Sequence, residues 1–154
     1  MLDFLRDLFH AEAQRDEVEE EFDLGRLAAA CLLVEAAGFD GEILPSERGG
    51  IEEVLARYYK LSSEEVIDLV RAAYRKTRES TDLYGFTKDA KNHLTLEQRI
   101  ELIEMLWEVV YADGVLHDFE ASLMRRVSGL LYVDDRQTGE ARKRVLQRLG
   151  LDGA

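Results

Sequence analysis

Six carboxylates recur at one spacing in this chain, and they are its strongest candidates for chemistry. Both sets follow the pattern E-x4-D-G-x-[apolar]-x3-E, so one glutamate precedes an Asp-Gly pair and a second follows it. Because every donor is an oxygen, the pattern favours a hard divalent cation such as Ca²⁺ or Mg²⁺ over Zn²⁺, which prefers Cys and His. The candidate metal ligands are Glu35, Asp40, Glu47, Glu108, Asp113 and Glu120.

The same residues also suit a purely structural role. Glycine adopts the left-handed conformation that ends many helices, and a glutamate at the third helical position accepts a hydrogen bond from the N-cap amide. With Leu44 and His117 as N-caps, Glu47 and Glu120 occupy that position. The alternative is therefore a protein-interaction scaffold whose acidic residues only cap helices.

Two further interpretations are weaker. The D-G-x5-E part coincides with the second half of an EF-hand loop, but the first ligand positions fall on residues such as Ala36 and Tyr111, which offer no carboxylate. Any cation site would then be completed by water or shared between the two sets. A hydrolase that uses two carboxylates as acid and base ranks third, since the sequence has no nucleophile elbow, phosphate-binding loop or HExxH motif.

The elements that position these carboxylates form an internal duplication. A shift of 73 residues, the difference between positions 113 and 40, aligns Leu27 with Ile100 and Ile51 with Met124. In each of the two aligned segments, the sequence predicts an apolar helix, an Asp-Gly hinge, an amphipathic helix and a further helix. We therefore expect an all-α domain over 22–154, with three-helix repeats at 22–80 and 95–151 and a linker helix at 81–94. The two apolar helices should pack centrally about a pseudo-twofold axis.

The duplicated Asp40-Gly41 and Asp113-Gly114 motifs, each after an apolar helix and before Glu47 or Glu120, resemble the signature of the TerB family of tellurite-resistance proteins. The resemblance extends roughly from residue 22 to residue 151. It implies a duplicated all-helical fold and a role in tellurite resistance or another chemical stress response. Phe39 departs from the usual pattern, which has a small residue at that position.

Helix boundaries follow from capping residues. Ser62 with Glu65 and Thr95 with Gln98 predict capping boxes, and Asp134 predicts another N-cap. A proline is tolerated at the first helical position, so a helix is expected from residue 45 to about residue 60. The tyrosines near helix ends, Tyr58, Tyr59, Tyr111 and Tyr132, are expected to pack in the core, and the alternative for Tyr58 and Tyr59 is an exposed surface for a partner.

Composition narrows the function classes. The chain has 32 acidic and 20 basic residues and a net charge of −12, which disfavours nucleic acid and favours cations or basic partners. Its single cysteine, Cys31, and the absence of an apolar run of roughly 18 residues suggest a cytoplasmic protein without a transmembrane segment. Residues 1–21 predict an amphipathic helix and an acidic segment, and that helix is a candidate surface for a protein partner.

Overall fold

The computed structural model describes residues 22–38, 45–80 and 82–151. All regular structure in these ranges is helical, which confirms the expected all-α class. The predicted N-terminal helix and acidic segment at 1–21 lie outside the described residues, as do Asp40, Gly41 and the expected N-cap Leu44. The helices are α1 (22–37), α2 (Pro45–Tyr59), α3 (Ser63–Glu79), α4 (Leu83–His93), α5 (Leu96–Val110), α6 (Asp118–Leu130) and α7 (Asp135–Arg148).

Side-chain caps begin three helices at the predicted positions. The Ser62 hydroxyl accepts from the Glu65 amide at 3.2 Å, and the Ser62 amide donates to Glu65 Oε1 at 3.0 Å. Thr95 and Gln98 form the same reciprocal pair before α5. Asp134 accepts from the third residue of its helix at 2.7 Å and caps α7. Local sequence therefore sets these boundaries, because each cap satisfies amides that the helix leaves unpaired.

The hydrophobic core is built on α1 and α5, the two helices expected to be enclosed. The middle of α1, residues 28–34, is buried throughout, and Cys31 is completely inaccessible there. On α5 buried side chains occur on most of the helix circumference, as in a helix covered by neighbours on several sides. They are Leu102, Ile103, Met105, Leu106, Trp107, Glu108 and Val110.

The other helices pack around this centre. Helix α5 contacts α2, α6 and α7, while α3 packs on α2, and α4 packs on α6. Arg99 on α5 donates to the Leu131 carbonyl oxygen at 2.6 Å, which ties α5 to the end of α6. Helix α4 occupies the segment expected to link the repeats. The pseudo-twofold relation between the two repeats stays a prediction.

One expected core residue faces solvent instead. Tyr132 is 70% exposed and has a φ of 56°, in the turn after α6. The Lys91 ammonium lies 4.2 Å from the centroid of its ring. The expectation that Tyr132 packs in the core is therefore wrong: its left-handed backbone lies in a turn outside the helix, where the ring reaches a surface cation.

Candidate functional site

The second Asp-Gly corner is the loop at 111–117 between α5 and α6. Gly114 has a φ of +85°, a conformation that residues with a Cβ adopt only with strain. Its amide donates to the Tyr111 carbonyl oxygen at 2.8 Å, which closes the turn. The left-handed glycine expected after this helix is present, and it directs the chain from α5 into α6.

Asp113 is the exposed carboxylate of this corner, with 61% of its side chain accessible. Its Oδ1 accepts from the Val115 amide at 3.1 Å, and its Oδ2 lies 3.1 Å from His117 Nε2. The Val115 hydrogen bond first, and then the His117 hydrogen bond, lower the pKa of Asp113 below its ordinary value. The residue therefore carries a full negative charge at neutral pH while bracing the loop.

Glu120 takes part in the N-terminal cap of α6, as the sequence predicts. It is the third residue of the helix, and its Oε1 accepts from the His117 amide at 3.1 Å. A carboxylate in the first turn also interacts favourably with the positive end of the helix dipole. Glu120 thus has a structural role whether or not it also binds a cation.

Glu108 is buried within the helix packing rather than exposed at the loop. Its side chain is 5% exposed, and its Oε1 lies 2.7 Å from Arg57 Nη2 on α2. Burial first, and then a hydrogen bond to Glu108, raise the pKa of the neighbouring Tyr58. Glu108 therefore contacts α2, whereas Asp113 and Glu120 contact His117 and the loop.

The first corner is described only at its edges. Glu35 lies near the end of α1, where partial burial raises the pKa of its carboxyl group. Glu47 is in the first turn of α2 and is half-buried. Asp40 lies outside the described residues, so the convergence predicted for these three carboxylates stays a prediction.

No group of three or more His, Cys, Asp or Glu side chains within residues 22–38, 45–80 and 82–151 is arranged to hold a metal ion. In that part of the chain, the second corner offers Asp113 beside His117, with Glu120 engaged in the cap.

The sequence match agrees with this all-helical fold. The family model described as tellurite resistance protein TerB matches residues 26–143, well over half of the chain. The chain belongs to the TerB family. The matched region contains all six candidate carboxylates and ends within α7. No curated protein and no solved structure shows significant similarity to the chain.

This TerB chain also exposes apolar side chains at the second corner, which the sequence analysis did not identify. Val115 is 55% exposed and Phe119 is 40% exposed. The Phe119 ring stacks on His117 at a centroid distance of 5.6 Å with an interplanar angle of 4°. No sequence signal marked their exposure, because Val115 precedes α6 and Phe119 lies four positions before the buried Leu123.

None of the helices in the described ranges of the TerB chain combines the length and the apolar character that a membrane span requires.

Proposed function

We propose that this TerB chain is a non-enzymatic module of tellurite resistance or another chemical stress response, and that its second Asp-Gly corner binds a basic protein segment. The observation that carries the proposal is the exposure of Val115 and Phe119 beside the ionised carboxylate of Asp113. Apolar side chains on a polar surface favour contact with a partner, and the surrounding negative charge favours a basic one.

The roles of the candidate carboxylates support a binding surface rather than a reaction centre. Glu108 neutralises Arg57, Glu120 caps α6, and Asp113 braces the loop. The proposal that the module is not an enzyme rests on these contacts and on the lack of catalytic motifs in the sequence. We also assign it to the cytoplasm, where a single buried thiol such as Cys31 stays reduced.

The interaction proposal is tested by tellurite tolerance in a host strain that lacks this chain. The variant Val115→Ser/Phe119→Ser should fail to restore growth in tellurite, because it removes the apolar contact while leaving the core intact. Tyr84→Ser is the matched control, since Tyr84 is 60% exposed on α4. Equal tolerance with the double variant and wild type, at equal protein abundance, would overturn the binding role of the corner.

A divalent cation at the acidic corners is the second candidate function. The exposed position and lowered pKa of Asp113 support it, because a carboxylate that stays ionised is available to Ca²⁺ or Mg²⁺. An ion at a hundredfold excess over its dissociation constant stabilises a fold by about 2.7 kcal/mol. Metal-stripped protein should then unfold at a higher temperature with the ion, and Asp40→Asn/Asp113→Asn should lose that shift. The absence of a shift with either ion would eliminate this candidate.

A further inference from the structure

A basic cleft lies between the start of α2 and the C-terminal half of α3. It has a volume of about 490 Å³, which is within the range of small-molecule sites. Four arginines and one tyrosine dominate its lining, although the whole chain carries a net charge of −12. We call it the arginine cleft; its lining residues are Pro45, Arg48, Arg71, Tyr74, Arg75 and Arg78.

The helical period brings these arginines together. Arg71, Arg75 and Arg78 are separated by four and three positions on α3, so they share one face of the helix. At a rise of 1.5 Å per residue, they span about 10 Å along its axis. Arg48 approaches from α2, with its guanidinium carbon 5.3 Å from the centroid of the Tyr74 ring. The cleft therefore presents guanidinium groups from two helices.

Among the residues that the structure describes, most of these arginines have no carboxylate partner. The Nε atom of Arg48 lies 3.4 Å from Glu52 Oε1. Burial raises the pKa of Tyr74, and the negative charges of Glu52 and Glu47 raise it further. In contrast, Arg71, Arg75 and Arg78 are exposed and form no ion pair with any carboxylate of the described residues. The first residue of α2, Pro45, also lies at the cleft, where the helix dipole adds positive potential.

Guanidinium groups recognise phosphate by paired hydrogen bonds, and four of them in one cleft exceed what a single phosphate requires. We propose that the arginine cleft binds a small molecule that carries two or more linked phosphate groups. The length of the α3 arginine row suits a phosphate chain. A long nucleic acid fits less well, because the acidic remainder of the surface would repel its backbone.

Calorimetric titration of the full chain at moderate salt with inorganic tripolyphosphate, ATP and adenosine tests this proposal. Tripolyphosphate and ATP should both bind saturably, whereas adenosine should not. Equal binding of the two phosphate probes would identify the phosphate chain as the recognised group. Tighter binding of ATP would identify a nucleotide as the source of that chain.

Two double variants test whether the phosphate probes bind in the arginine cleft. Arg71→Gln/Arg75→Gln should weaken binding of both phosphate probes by about tenfold or more, since each arginine contributes charge-assisted hydrogen bonds. Arg126→Gln/Arg136→Gln removes the same charge from exposed positions on α6 and α7 and should change the affinity by about twofold or less. Equal weakening in both variants, or no saturable binding of either phosphate probe, would overturn the proposal.

Discussion

At the residue scale, the second corner depends on one backbone conformation and one ionised side chain. Gly114 turns the chain at a φ of +85°, and Asp113 holds the turn through the Val115 amide. Both features were predictable from the Asp-Gly pair. The exposure of Val115 and Phe119 was not, because it depends on how α6 sits against the core.

Gly114→Ala should destabilise the fold by about 1–2 kcal/mol, because alanine strains the left-handed backbone. Open space surrounds the position, so a steric clash does not contribute. Gly139→Ala is the matched control: Gly139 lies within α7, also in open space, and alanine should stabilise that helix by about 0.5–1 kcal/mol. Urea unfolding measures both changes. A Gly114→Ala protein as stable as wild type would show that the turn tolerates a side chain.

Asp113→Asn should remove a pH-dependent part of the stability. A carboxyl group whose pKa is lower in the folded state stabilises the fold above its unfolded pKa of about 3.9, and that contribution disappears as the pH falls through the folded pKa. The variant should therefore be less stable than wild type at neutral pH, and the difference should diminish below about pH 4. Unfolding free energies measured from pH 3 to pH 7 test this; a difference independent of pH would contradict it.

At the element scale, interactions between residues close in the sequence could be predicted, whereas pairings between distant residues could not. The capping boxes at Ser62 and Thr95 join residues three positions apart, so their helices could be predicted from sequence alone. Glu108 and Arg57 are 51 positions apart, and their pairing depends on the approach of α2 to α5. For the same reason the arginine cleft, built from two helices, was not anticipated.

The Arg57–Glu108 ion pair should stabilise the contact between α2 and α5. Arg57→Met leaves a buried carboxylate without its cationic partner, and we expect a loss of about 1–3 kcal/mol. The control Arg136→Met breaks the exposed Arg136–Glu140 pair on α7 and should cost less than about 1 kcal/mol. Urea denaturation compares the two variants. Equal losses would mean that burial of Glu108 does not strengthen its ion pair.

At the scale of the whole molecule, one core built on α1 and α5 supports two differently charged surfaces. The apolar composition of these helices was sufficient to predict their enclosure, since few of their side chains suit solvent. The surfaces follow from packing: the corner presents acidic and apolar groups, whereas the cleft presents arginines. The two proposed binding sites therefore lie on surfaces of opposite charge.

Cys31 reports on the integrity of that core. Burial raises the pKa of its thiol from 9.0 to about 11, and its side chain is inaccessible. The raised pKa alone lowers the thiolate population at neutral pH by about a hundredfold. A thiol reagent should therefore label Cys31 rapidly in denaturant and very slowly in the folded protein. Rapid labelling under native conditions would show that α1 opens readily.

Site-specific photocrosslinking in living cells tests whether the second Asp-Gly corner binds a basic protein. A photoreactive residue at position 119 is compared with one at position 84, another exposed aromatic position. We expect a discrete adduct from position 119 with a protein that carries a basic segment, no such adduct from position 84, and loss of the adduct in Asp113→Asn. No adduct from position 119, or the same adducts from both positions, would contradict it.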